Sequence, residues 1–298
     1  MKAAPFEYAR ASDVDEACAW LAADENARVI AGGQTLVPMM AMRLARPTRL
    51  IDINRIAALS YIRAEQDAIA IGATTRQCVV ERDPLVAARL PLLARAMPFI
   101  GHAATRARGT IGGSLANADP AAELALIAMT LDAVLSYRAA GKTADMPARA
   151  FFVGPMTTTL PAGAVLTGVR FPVWRGEVGV GFHEVNTRRS DFAFVSAAAQ
   201  VELGDDGIGN DWKCKRIAIG VGAVTNFPLR LESAEQQLNG SALDDAAVKA
   251  AVTEALADIE PLADLHASAR YRRRVAATLA ARAIADAKAN ARGESHAH

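Results

Sequence analysis

Val29-Ile30-Ala31-Gly32-Gly33-Gln34-Thr35-Leu36-Val37-Pro38 is the stretch on which the reading of this chain turns. A short β-branched run drives straight into paired glycines and then into small polar residues. With no side chain at Gly32 or Gly33, the backbone N–H groups are open to close approach. Such a turn can cradle an anion, and Gln34 and Thr35 add polar groups of their own. By itself a glycine pair after a strand is also an ordinary turn. The spacing is not the G-x-G-x-x-G of a Rossmann fold, and no Gly-Lys-Ser/Thr follows as in a Walker loop.

A second segment repeats the theme: Gly109-Thr110-Ile111-Gly112-Gly113-Ser114-Leu115-Ala116-Asn117-Ala118-Asp119-Pro120-Ala121-Ala122-Glu123-Leu124. The glycine pair here is flanked by the hydroxyls of Thr110 and Ser114, which can donate to phosphate oxygens. Asp119 and Glu123 stand four apart across an expected helix start. One can cap the helix while the other meets a hydroxyl-bearing ligand, and Asp119 ahead of Pro120 also reads as a plain N-cap. Two glycine loops can clamp a pyrophosphate that one would hold loosely. A dinucleotide is the natural ligand.

Outward from these segments the first half alternates helix and strand. Ser12-Asp13-Val14-Asp15 predicts a helix start with a serine cap. Leu50–Ile53 and Ala68–Thr75 read as strands, Asp83–Ile100 as helical, and Ala121–Thr130 as a strongly apolar helix after Pro120. Further strands are expected at Ala133–Tyr137 and Val165–Phe171. The character changes after Pro172. Val178–Val185, Phe192–Leu203 and Arg216–Val224 are strand candidates joined by polar or glycine-rich turns, which favours an antiparallel meander. Helices follow near 242–260, with Val248, Val252, Leu256 and Ile259 as an apolar stripe, and near 268–289. Strands before helices predict a separate α+β domain beyond Trp174-Arg175-Gly176, with a frayed polar tail from about 291.

Composition narrows the function classes. The chain has 298 residues, 52% hydrophobic, with a net charge of +1. That is too hydrophobic for disorder and too balanced for a nucleic-acid binder. The longest apolar run, near Leu124–Leu131, is closed by Glu123 and Asp132, far short of the roughly 20 residues a membrane span needs. No apolar leader is visible at Met1–Asp13, so the expected location is cytoplasmic. Cys18, Cys78 and Cys214 are isolated: they make no disulfide framework and lack the roughly four clustered ligands of an iron–sulfur or zinc site. Redox chemistry would need an organic cofactor or a partner's metal. Tyr271-Arg272-Arg273-Arg274, within a helical pattern, reads as a solvated face or a subunit contact.

The two glycine segments strongly resemble the paired flavin signatures of the medium subunit of molybdenum hydroxylases, the family of bacterial carbon monoxide dehydrogenase, xanthine dehydrogenase and the N-heterocycle dehydrogenases. The resemblance extends to Met42-Arg43-Leu44 through Pro47, Leu50-Ile51-Asp52-Ile53, Arg188-Arg189-Ser190-Asp191-Phe192-Ala193 and Ser268-Ala269-Arg270-Tyr271-Arg272-Arg273. It implies an α+β chain: an FAD-binding domain of the vanillyl-alcohol-oxidase type over 1–175, built of two α/β subdomains (roughly 1–56 and 57–175). A C-terminal domain over 176–290 would follow, with a three-stranded antiparallel sheet and helices.

It further implies that Val29, Ile30, Ala31, Gly32, Gly33, Gln34, Thr35 and Leu36, with Thr110, Ile111, Gly112, Gly113 and Ser114, wrap the FAD pyrophosphate. Glu123 would face the ribose or adenine end, Asp119 would add a contact, and Leu166 would pack near the cofactor. His183 stands where several relatives carry a lysine near the flavin, which leaves flavin potential and acceptor choice open here. Phe192 stands where relatives often have an aromatic residue beside the ring. Partners are implied too: a large subunit with a molybdenum cofactor that hydroxylates the substrate, and a small subunit with two [2Fe–2S] clusters, usually as a dimer of heterotrimers. The flavin would collect electrons and pass them to an external acceptor (NAD, a quinone, a cytochrome or oxygen). No proton-transferring catalytic residue and no metal ligand is expected in this chain. A free-standing FAD-dependent oxidoreductase of the same fold, and a scaffold that has lost its flavin, remain the alternatives.

Overall fold

A computed structural model describes residues 2–205 and 212–294. The first sheet is parallel, with Arg49–Asp52 between Glu7–Arg10 and Arg28–Ile30. Parallel neighbours need crossovers, and the helix Val14–Ala23 supplies the first. That helix is capped one residue later than the serine cap expected from sequence. Asp13 accepts from the Glu16 N–H at 2.9 Å, while Ser12 turns its own N–H to Glu16 Oε2 at 2.7 Å.

The second sheet is antiparallel, in the order Ile62–Ala64, Ala68–Gly72, Val165–Pro172, Val134–Ala139, Lys142–Pro147. Against it lies the main buried cluster, centred on the helix Glu123–Thr130, whose every residue is buried. A helix packed on all sides carries no polar face, which is why its sequence is so apolar. The helix expected over Asp83–Ile100 is broken into Pro84–Arg89, Pro91–Ala96 and a 3-10 turn at Met97–Phe99. The prolines cannot donate the interior hydrogen bonds a continuous helix would need.

The C-terminal sheet has four strands, not three: Glu177–Val185, Val195–Asp205, Trp212–Gly222 and Leu229–Arg230, all antiparallel. The fourth is two residues long, too short to show any alternation. One face of this sheet receives the long helix Ala269–Ala291, and glycines let the two backbones meet. A Cβ on Gly179 would lie 1.9 Å from the Ala287 carbonyl oxygen, and one on Gly181 2.1 Å from that of Ala283. The other face turns Val180, Phe182 and Ala198 into the main cluster of the preceding region. The Phe182 and Phe99 ring centroids are 4.8 Å apart.

The arginine cluster at the head of the long helix is not one solvated face. Arg272 is only 4% exposed. It donates to the carbonyls of Phe194 and Ala223 and pairs with Asp264 at 2.5 Å. Arg273 and Arg274 stay outside. The helix runs to Ala291, and residues 295–298 of the expected tail lie outside the described residues. No helix among the described residues is long and apolar enough to cross a membrane.

Candidate FAD site

The strand Arg28–Ile30 ends at residue 30, and residues 31–35 turn into the short helix Leu36–Ala41. Among the described residues, nothing accepts from the N–H groups of Gly32, Gly33, Gln34 or Thr35. Gly33 adopts φ +70°, where a side chain would strain the turn. Gly32 is required by contact: a Cβ there would stand 2.5 Å from the Arg108 carbonyl oxygen and 2.8 Å from Gly109 Cα. The two glycine segments, distant in sequence, touch at this point.

They are not equivalent. In the second segment Thr110 caps the helix Ile111–Asn117, its hydroxyl accepting from the Gly113 N–H at 3.0 Å. The N–H groups of Ile111 and Gly112 donate to the carbonyls of Thr75 and Ala73, at 3.0 and 2.9 Å, and that of Ser114 to Thr110 O at 3.2 Å. The backbone donors from Ile111 to Ser114 are therefore committed to the fold. What it offers a ligand is hydroxyl: the Thr110 proton, and a Ser114 Oγ that has no partner among the described residues.

Val29 and Ile30 belong to the strand, Val29 packing on the small apolar cluster of the first sheet, and Leu36 opens the short helix. Asp119 does not cap the apolar helix, which begins at Glu123 behind Ala122. Its Oδ1 instead accepts from the Ala121 N–H at 2.9 Å and closes a preceding turn. Glu123 is 8% exposed. Burial, and then the charge of Asp119, push its carboxyl up to about 7.

The strand Glu177–Val185 adds a residue absent from the sequence expectations. Glu184 stands close enough to Glu123 to feel its charge; burial first, and then that charge, push it up to about 8. Its Oε1 accepts from Asn186 at 2.7 Å, while its buried Oε2 has no partner among the described residues. Strand alternation was the available signal, since Glu184 lies on the same face as Phe182. The preceding residue points the other way: His183 Nε2 lies 3.0 Å from Asp286 of the long helix. The structure thus brings Glu184, not His183, to the acidic side of the site. Leu166 is 5% exposed within the main cluster, and Phe192 is 66% exposed.

A cradle with four unspent N–H groups on one wall and two hydroxyls on the other suits a pyrophosphate, and a Cβ at Gly32 would fill it. Built on neither a Rossmann nor a Walker loop, it defines a dinucleotide-binding protein of another class.

Comparison with known proteins narrows this further. Residues 4–174 match the family described as the FAD binding domain in molybdopterin dehydrogenase, and residues 181–287 the CO dehydrogenase flavoprotein C-terminal domain. The 6-hydroxypseudooxynicotine dehydrogenase complex subunit alpha of Paenarthrobacter nicotinovorans is 36% identical, over 98% of this chain and 97% of its own. The carbon monoxide dehydrogenase medium chain of Hydrogenophaga pseudoflava is 33% identical, over 94% and 96%. Among solved structures, a carbon monoxide dehydrogenase of Hydrogenophaga pseudoflava superposes with a TM-score of 0.92 at 34% identity, covering 97% of this chain and 99% of that one. Quinoline 2-oxidoreductase from Pseudomonas putida 86 gives 0.91 at 32%, covering 99% and 100%. The chain belongs to the family of FAD-binding subunits of molybdopterin dehydrogenases, and is the flavoprotein component of an oxidoreductase.

Proposed function

We propose that this chain holds one FAD and relays electrons from the [2Fe–2S] clusters of a small partner subunit to an external acceptor. Substrate hydroxylation would take place on a large molybdenum-cofactor subunit, within a dimer of heterotrimers. The observation that carries the reading is the contact of Gly32 with the Arg108 carbonyl, which closes the two glycine segments into one cradle. Relatives described as medium chains and subunits of dehydrogenase complexes support the assembly.

Bound FAD would supply a carrier able to take up electrons singly and release them in pairs. The chain's own residues bind and orient it. The N–H groups of Gly32, Gly33, Gln34 and Thr35 grip one side of the pyrophosphate, and the Thr110 and Ser114 hydroxyls the other. Glu123, with Asp119 beside it, accepts from a ribose hydroxyl. Leu166 supports the pocket from the core. His183, expected beside the flavin, is read here as the partner of Asp286, 3.0 Å away on the long helix.

The test is the visible spectrum of the purified chain, with chromatography of the flavin released on denaturation. One FAD per chain, and co-purification of iron–sulfur and molybdenum subunits from the native host, are expected. A chain that stays colourless after incubation with FAD would overturn the reading.

A further inference from the structure

Behind the two glycine segments runs a side-chain bridge that no sequence motif announced. Arg76 heads the helix Gln77–Arg82, and its backbone forms an isolated β-bridge with Thr110. Its guanidinium donates in two directions. One N–H group reaches the carbonyl of Arg108, just ahead of the second segment, and another reaches Asn54 Oδ1 at 2.7 Å. Asn54 completes the span by donating from Nδ2 to the carbonyl of Ala31, in the first segment, at 2.8 Å.

The orientation of Asn54 is itself fixed. Its Nδ2 and its backbone N–H both donate to Asp52 Oδ1, at 2.7 and 2.8 Å, and the Tyr8 hydroxyl donates to the other oxygen of Asp52. Burial works against the charge of Asp52, yet hydrogen bonds from Tyr8 and Asn54 hold its carboxyl below the ordinary range. The carbonyl that Arg76 holds is the same Arg108 oxygen that Gly32 approaches.

We propose that Arg76 and Asn54 are a positioning pair, a latch that sets the gap between the two phosphate-binding segments and so the rate at which FAD leaves. The inference rests on the FAD reading above. Only a planar fork of donors reaches two acceptors on opposite sides at once. A lysine would keep the charge and lose the span.

The full-length chain, loaded with FAD, is compared as wild type, Arg76→Met, Arg76→Lys, Asn54→Ala and the Arg76→Met/Asn54→Ala pair. Three quantities are read: FAD Kd, FAD dissociation rate by recovery of flavin fluorescence, and the thermal midpoint of the apoprotein. Each single variant is expected to raise Kd and dissociation rate by about tenfold or more, with Arg76→Lys as loose as Arg76→Met. The double variant should be no looser than the worse single one, because both break the same bridge.

Wild-type affinity in Arg76→Lys beside a loose Arg76→Met would make the role one of charge and overturn the latch. Additive losses, or losses that follow the apoprotein midpoint alone, would overturn it as well, as would unchanged FAD binding in Arg76→Met and Asn54→Ala. A wild-type chain that takes up no FAD would instead defeat the underlying FAD reading, and the latch with it.

Discussion

Glu184 is an uncomfortable residue in the apoprotein: half-buried, beside a second carboxylate, with one oxygen unpaired among the described residues. A carboxyl raised in the folded state stays protonated after its unfolded counterpart has ionised, so rising pH favours unfolding. Below its ordinary value of 4.5 the residue costs nothing; the cost then grows with pH until about 8, where it levels off. Glu123 adds a similar slope up to about 7. The apoprotein should therefore be more stable in urea at about pH 5 than at about pH 8. Glu184→Gln should remove much of that slope and gain on the order of 2 kcal/mol at the higher pH, after allowance for water reaching a half-exposed site. An unchanged slope in the variant would mean that Glu184 is ionised and solvated in the folded chain.

At the scale of elements, close approaches decide more than propensity does. Gly179→Ala would drive a methyl into the Ala287 carbonyl, so the long helix must lift from its sheet at a cost of about 2 kcal/mol or more. Denaturant unfolding checks this, and a cost under about 0.5 kcal/mol would show that the helix slides freely. Gly32→Ala acts on the other contact: pushing Arg108 away from the first segment should abolish FAD retention, read as flavin absorbance after gel filtration, while the apoprotein still folds. The same contrast explains what the sequence made legible. Strands that alternate over many residues, such as Val195–Asp205, and stripes such as Val248 and Val252 declare themselves by period. Glu7–Arg10 is a four-residue, mostly exposed strand, and Leu229–Arg230 is shorter still, so neither carries a pattern. The glycine segments were readable as a pair. Their division into an N–H wall and a hydroxyl wall was not, because it depends on which carbonyls, those of Ala73 and Thr75, come to meet the second one. Arg272 likewise looked like one arginine among several until its acceptors, Phe194 and Ala223, were placed.

For the whole molecule, the C-terminal sheet is the shared wall between two cores. Phe182 contributes to the core of the FAD-binding region and packs on Phe99. The two halves should therefore unfold together, in a single calorimetric transition. Phe182→Ala, at about 3–5 kcal/mol, should separate that transition into two; a lone transition, simply shifted, would show that the halves are coupled elsewhere. The shared wall also imposes an order on birth. A chain emerging from the ribosome presents the glycine segments early, but the hydrophobic room behind them stays open until Phe182 and Ala198 have been made. Cofactor loading should then wait for residues that come long after the loops that grip it, while the nascent FAD-binding half carries exposed apolar surface.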